Sequence, residues 1–232
     1  MKDRKVAIVA WWNGDKLWTE GRWREARHDG YEIWGLNDPS REFRPDDTDR
    51  WYQLHSVEYL EKRWPWWEYQ TKKVWLEHWE MGGVTPLYMQ RHYPDLSGSV
   101  AFPKERIEAE LPNGRYHCGS IDWMVAHALL EGVTHLRLYG VNLMPPAEPF
   151  SSRPCLEYWL GVAAGRGVEV EVLYSGDIFK TFNLLKTDWA YAWDESRPVI
   201  DLDDVREALR VPGPDGSALE ETLQKTIRTR ST

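Results

Sequence analysis

The chain has 232 residues, enough for one large domain, or one domain with an appendage, and for a sizeable core. Hydrophobic residues make up 42% and charged residues 28%, as in a globular protein, and no apolar run approaches the roughly 18 residues of a membrane span. The net charge of −8 argues against non-specific coating of nucleic acid, which depends on neutralising phosphates. Two cysteines, Cys118 and Cys155, and an N-terminus without the apolar core of a signal peptide predict a reduced, cytoplasmic protein.

Tryptophan is unusually frequent, with 15 residues, ten of them among the first 75. This density predicts aromatic packing in the core and also exposed platforms for stacking. The high aromatic content argues against disorder.

The predicted elements begin with a short, β-branched apolar run at residues 5–10, which is typical of a buried parallel strand. Further strands are predicted at 31–36, 50–54 and 85–89. The segment 57–80 has a helical pattern that Pro65 interrupts, and a loop with Pro94 and Pro103 leads to a short helix near 104–110.

The clearest helix follows Gly119, with Ser120 as its predicted cap, and ends at Glu131-Gly132. Its apolar face comprises Ile121, Met124, Val125, Ala128 and Leu129. A strand at 136–139, a proline-rich loop that extends to Pro154, a helix at 155–166 and a strand at 168–172 follow.

Strands that alternate with helices predict an α/β fold, a doubly wound, mostly parallel, Rossmann-like sheet with helices on both faces. The composition changes near residue 185. We therefore predict a nucleotide-binding, catalytic domain at 1–185 and a C-terminal helical extension at 186–232.

Ligands of such sheets bind beyond the carboxyl ends of the strands, so the residues that follow the predicted strands are the candidates for a binding site. These residues carry mostly amide, hydroxyl and imidazole groups, which suit nucleobases, ribose hydroxyls and phosphates. They are Trp11, Asn13, Asn37, Asp38, His55, Gln90, Arg91, Asn142 and, at a helix start, Gly119 and Ser120.

Several of these candidates have a structural alternative. Gly119 and Ser120 could bind an anion at the helix N-terminus or form an ordinary helix cap. Asn37-Asp38 could contact a base or ribose or make a turn, and His55 could be a general base, a phosphate ligand or a structural residue. The Trp11-Trp12 pair could stack on a base or pack against a helix.

Basic and aromatic residues alternate in two stretches, at 22–24 and 41–44. Arg22, Arg24, Arg41 and Arg44 would form a basic groove for nucleic acid, although such stretches are usually solvated faces.

Several common motifs are missing from the sequence. No Gly-x-Gly-x-x-Gly follows the first strand, and neither a Walker A loop nor His-Glu-x-x-His occurs. The pair Asp201 and Asp203 lies in the extension, and the seven histidines lack metal-ligand spacing, so no metal site is named.

The segment Cys118–Asn142 resembles a segment of bacterial sialyltransferase-like glycosyltransferases and the related domain of archaeal pterin pyrophosphokinase-like proteins. In those proteins a small-residue helix and a strand that ends in Gly-Val/Ile-Asp surround the nucleotide. Together with residues 5–10, 32–38 and 51–55, the segment is also similar to a family of phage proteins. The resemblance covers about residues 5–173.

This resemblance implies that Gly119 and Ser120 lie near the nucleotide phosphate or ribose, and that Asn13 and Asn37 match asparagines near a cytidine nucleotide. Asn142 stands where these families have Asp. Phages with such proteins often decorate hydroxymethylated pyrimidines, such as hydroxymethylcytosine, in their DNA, which implies a DNA-base glycosyltransferase.

We therefore expect a nucleotide-sugar-dependent glycosyltransferase that acts on a hydroxyl acceptor, with His55 or Asp38 as the base. Gly119, Ser120 and either Arg91 or Arg153 would support the leaving phosphate. The nucleotide sugar is the expected co-substrate, modified DNA is the expected acceptor, and the metal requirement is left open. Two alternatives remain, a Mg²⁺-dependent pyrophosphokinase or nucleotide hydrolase, and a non-catalytic module that binds a nucleotide or a partner protein.

Overall fold

The computed structural model describes residues 3–10, 21, 23–39, 43–63, 71–141, 143, 148–173 and 178–179. The strands are Lys5–Val9 (β1), Glu32–Leu36 (β2), Arg50–Gln53 (β3), Leu87–Met89 (β4), Ser99–Ala101 (β5), His135–Tyr139 (β6) and Glu169–Leu173 (β7). The helices are Trp23–His28 (α1), Val57–Arg63 (α2), Lys72–Glu80 (α3), Lys104–Glu110 (α4), Ser120–Leu130 (α5) and Glu148–Gly165 (α6).

These strands form one parallel sheet in the order β5-β4-β3-β2-β1-β6-β7. At its centre, Ile8 lies opposite Trp34 of β2 and Leu138 of β6. Strands β2 to β5 are added one after another on one side of β1. After α4 and α5 the chain returns to the other side of β1, where it adds β6 and β7. This arrangement confirms the predicted doubly wound α/β fold.

The two faces of β1 pack into two separate cores, which explains why its sequence is continuously apolar. Val6 and Ile8 belong to a core that includes buried residues of α5 and α6. Ala7 and Val9 belong to a core on the other face, with Trp23 of α1 among its members. Helices therefore cover both faces, as the alternating pattern predicted.

The described tryptophans belong to the core. Trp23, Trp34, Trp51, Trp75 and Trp159 are buried, and Trp79 and Trp123 are half-buried. They pack against other aromatic rings; those of Trp51 and Trp75, for example, meet edge-on with centroids 5.7 Å apart. None of these seven residues forms an exposed platform, and six of the ten tryptophans among the first 75 residues lie outside the described residues, so the predicted platforms stay a prediction.

Two local predictions also need correction. Strand β5, three residues long, lies where the sequence predicted a loop, and it forms by pairing with β4. Helix α6 begins at Glu148, seven residues before the predicted start, because Pro149 occupies its first turn, where a backbone N–H has no intrahelical acceptor. Pro154 lies inside this helix. The predicted boundary near 185 and the extension 186–232 lie outside the described residues.

Charged residues meet near the amino ends of the strands, on the edge opposite to the predicted site. Glu131, just after α5, contacts Arg4 at 2.6 Å, Arg50 at 2.8 Å and His127 Nε2 at 3.1 Å. Burial alone would raise the pKa of Glu131, but hydrogen bonds from His127 and Arg50 outweigh it and lower the pKa to about 2. The cluster ties α5 to β1 and β3.

Among the described residues, no helix combines the length and apolarity that a bilayer crossing requires.

Candidate functional site

The topological switch point of the sheet lies between β1 and β6, the neighbouring strands from which the chain departs in opposite directions. The Ala10 N–H donates to the Tyr139 carbonyl at 3.0 Å, and Gly140 adopts a positive φ of 62° where β6 ends. Trp11, Asn13 and Asn142, which follow β1 and β6 in the sequence, lie outside the described residues. The described part of the site comes from the remaining strand ends and from α5 and α6.

The end of β2 presents Asn37 and Asp38. Asn37 has a positive φ of 59°, which an asparagine tolerates better than most residues. Its N–H donates to the Tyr52 carbonyl at 2.8 Å, and its carbonyl accepts from the Trp51 indole at 2.8 Å. These bonds hold the backbone in place while the Asn37 side chain remains exposed.

Asp38 and His55 follow the adjacent strands β2 and β3, and the structure brings them close enough to interact. Burial lowers the pKa of His55, and the negative charge of Asp38 opposes this effect. The His55 ring stacks on Tyr59 with centroids 5.2 Å apart, and Asp38 Oδ1 accepts a hydrogen bond from the Thr71 hydroxyl at 3.0 Å. The lowered pKa keeps the His55 imidazole neutral at neutral pH.

Gln90 and Arg91 follow β4 and lie at the surface. Gln90 Nε2 donates to the Leu54 carbonyl at 2.9 Å, which joins the ends of β3 and β4. Arg91 pairs with Glu58 at 2.9 Å, and both side chains are more than half exposed. A solvated pair of this kind is weak, so a phosphate could compete for the guanidinium.

The start of α5 differs from the predicted cap. Gly119 is the N-cap residue and Ser120 is the first helical residue, so the prediction that Ser120 caps the helix is wrong. The capping oxygen belongs to Asp122, whose Oδ2 accepts the N–H groups of Cys118 and Gly119, each at 2.9 Å. The first-turn N–H groups of Ser120 and Ile121 have no intrahelical acceptor and remain suited to an anion.

His117 and Asp122 form a buried pair that sequence reasoning missed. His117 Nδ1 lies 3.0 Å from Asp122 Oδ1, and the two side chains are 2% and 1% exposed. The His117 ring stacks on both Trp123 and Trp159, with centroid distances of 3.5 and 4.8 Å. An acidic residue three positions after the N-cap was the available signal, since it is the second half of a capping box. The pair fixes the start of α5 rather than facing solvent.

Arg153 lies in α6, whose first turns pass beside the start of α5. A Cβ built on Gly119 would lie 3.6 Å from the side chain of Ser152, so the two segments are in contact distance. The Arg153 guanidinium pairs with Glu157 at 2.8 Å, and its side chain is 13% exposed. Arg153 therefore lies beside the N-terminus of α5 with its positive charge balanced by Glu157.

The predicted basic groove is only partly described. Arg24 and Arg44 are exposed, and the Arg24 guanidinium lies 4.5 Å from the centroid of the Trp23 ring. Arg22 and Arg41 lie outside the described residues.

The described residues contain no cluster of three or more His, Cys, Asp or Glu side chains arranged to hold a metal ion. The described edge offers a neutral imidazole, a carboxylate, backbone N–H donors and two arginines that carboxylates already compensate. No protein-family model matches the chain, and neither a curated protein nor a solved structure is significantly similar to it.

Proposed function

We propose that the protein is a glycosyltransferase that binds a nucleotide-sugar donor at the carboxyl edge of its sheet. The supporting observation is that the switch point, the interacting pair Asp38 and His55, and the start of α5 belong to the same edge. Doubly wound sheets bind nucleotides at this place. The resemblance of residues 118–142 to sialyltransferase-like enzymes supports the same choice.

In the proposed reaction, an oxygen of the acceptor hydroxyl attacks the anomeric carbon of the donor sugar. The bond from that carbon to the phosphate oxygen breaks, and the nucleotide leaves with the electron pair. His55 takes the hydroxyl proton, because its lowered pKa keeps the imidazole neutral and able to accept it. Asp38 then stabilises the imidazolium that forms.

The leaving phosphate would be held at the start of α5. The N–H groups of Ser120 and Ile121 belong to the first turn of α5, where they have no intrahelical acceptor and can donate to a phosphate oxygen. Arg91 and Arg153 supply positive charge if phosphate oxygens compete with Glu58 and Glu157. Of the two arginines, Arg91 exchanges partners more easily because it is more exposed.

The proposed acceptor is a hydroxymethylated pyrimidine in DNA. The net charge of −8 requires that DNA approach through a local basic surface, for which Arg24 and Arg44 are the described candidates.

The first experiment is a thermal-shift panel of nucleotides and nucleotide sugars, with Mg²⁺ or with EDTA. A ligand that binds only the folded protein stabilises it by about 2.7 kcal/mol at a hundredfold excess over Kd. A selective shift with one nucleotide sugar supports the proposal. A shift only with triphosphates and Mg²⁺ favours phosphoryl transfer, and a flat panel favours a non-catalytic module, so either result overturns the proposal.

The second experiment measures sugar transfer to duplexes that contain hydroxymethylcytosine, with unmodified duplexes as the blank. We expect His55→Gln and Arg91→Gln to reduce transfer by about 100-fold and about tenfold, respectively. Arg106→Gln is the matched control, since Arg106 is also exposed and pairs with a glutamate at 2.9 Å. Equal losses in Arg91→Gln and Arg106→Gln would contradict the assigned role of Arg91.

A further inference from the structure

A second candidate site lies beside α4 and α6. It is an open groove of about 850 Å³, within the roughly 300–1,000 Å³ of small-molecule pockets. Its lining includes Glu108, Leu111, Asn113, Arg115, Tyr116 and Tyr158. Tyr158 comes five residues after Arg153, about 7.5 Å along the axis of α6, and Tyr116 comes three residues before Gly119, so the groove adjoins the start of α5 but has a lining of its own.

Side-chain hydrogen bonds hold the segment 111–116, which forms one wall of the groove. Asn113 Nδ2 donates to the Tyr158 hydroxyl at 2.9 Å, and that hydroxyl donates to the Pro112 carbonyl at 3.0 Å. The Trp159 indole donates to the Tyr116 carbonyl at 2.8 Å. These bonds attach both ends of the wall to α6.

The backbone of the same wall is shaped for close packing on α4. Asn113 has a positive φ of 52°. A Cβ on Gly114 would lie 2.3 Å from the Ile107 carbonyl oxygen, so only glycine fits there. Because the wall is already fixed, it loses little conformational entropy when a ligand binds.

The groove presents aromatic surface together with uncharged and mutually compensated polar groups. Tyr116 is 44% exposed, and its ring meets that of Tyr158 edge-on at 5.3 Å. The amide NH₂ of Asn113 donates to the Tyr158 hydroxyl, and the amide oxygen can accept a hydrogen bond from a ligand. Glu108 pairs with Arg115 at 3.3 Å and with Lys104, outside the lining, at 3.4 Å, so the lining itself contains one acidic and one basic side chain and has no net charge.

We propose that this groove binds a neutral saccharide. The C–H face of a sugar ring, which is weakly positive, packs against the electron-rich face of Tyr116. The sugar hydroxyls bond to the Asn113 amide oxygen and to the Glu108–Arg115 pair, groups that offer both acceptors and donors. The proposal does not rest on the glycosyltransferase assignment.

Saturation-transfer NMR tests the proposal on the full chain. The probes are methyl β-D-glucopyranoside, methyl α-D-mannopyranoside, N-acetylglucosamine, lactose and maltose, with cytidine and thymidine as the nucleoside arm. We expect at least one saccharide to bind with a Kd below about 10 mM and the nucleosides not to compete with it. Absence of saccharide binding, or binding of nucleosides alone, overturns the proposal.

Variants locate the bound saccharide. Tyr116→Ala should weaken it about tenfold, and Asn113→Gly, which tolerates the positive φ, about threefold. Met81→Ala is the control, since Met81 is 87% exposed and lies outside both the groove lining and the site at the strand ends. Unchanged binding in both Tyr116→Ala and Asn113→Gly, or an equal loss in Met81→Ala, would place the sugar elsewhere and overturn the proposal.

Discussion

Replacing Glu131 with glutamine should destabilise the protein strongly at neutral pH and more weakly in acid. The substitution preserves the shape of the side chain but removes the negative charge that Arg4 and Arg50 contact at 2.6 and 2.8 Å. The pKa of Glu131 falls from an ordinary 4.5 to about 2, which corresponds to about 3 kcal/mol at about 1.4 kcal/mol per unit. Because the side chain is 23% exposed, solvent screening reduces the expected loss to about 2 kcal/mol.

The pH dependence follows from proton linkage. Between about pH 4.5 and pH 2 the unfolded chain holds a proton on Glu131 and the folded protein does not. The free energy of unfolding contributed by this carboxylate is therefore complete above the unfolded pKa and is lost as pH falls through this window. The difference between wild type and Glu131→Gln should shrink by about 1 kcal/mol between about pH 6 and pH 3.5.

Urea unfolding followed by tryptophan fluorescence measures this difference at several pH values. The signal sums all 15 tryptophans, among them the buried Trp34, whose ring centroid lies 4.8 Å from the Arg50 guanidinium. Glu61→Gln is the control, because Glu61 is exposed on α2 and lies outside the cluster of Arg4, Arg50 and His127, and it should leave the profile unchanged. Profiles for wild type and Glu131→Gln that remain parallel down to pH 3.5 would refute the linkage argument, which expects convergence from about pH 4.5.

Two further predictions concern local structure, and urea unfolding tests both. Gly114→Ala should lower the free energy of unfolding by about 2 kcal/mol, because its Cβ would meet the Ile107 carbonyl oxygen. Gly161→Ala should raise it by about 0.5 kcal/mol, because Gly161 lies inside α6 with open space around its Cα. Similar values for the two would show that the close approach at Gly114 is relieved without cost. Asp122→Ala should lower the free energy of unfolding by about 2 kcal/mol, because two backbone N–H groups lose their acceptor and His117 loses its partner. A change under about 0.5 kcal/mol would refute the capping role.

The sequence alone was sufficient for the elements whose signal is local. The apolar, β-branched run at 5–10 indicated a buried strand, and alternation with helices indicated the doubly wound sheet, because the repeat of a helix or strand is imposed residue by residue. The topology rule then identified the strand ends, and the structure places Asp38 and His55 within electrostatic reach of each other. Their proposed roles in binding and catalysis stay predictions.

Tertiary structure alone decided the features that depend on residues distant in sequence. Strand β5 forms by backbone pairing with β4, and its three residues have no apolar pattern that would predict a strand. The rings that stack on His117 come from α5 and from α6, and segment 111–116 is joined to Tyr158, 45 residues from Asn113. Contacts of this kind form only when segments distant in sequence come together, so the local sequence pattern cannot predict them.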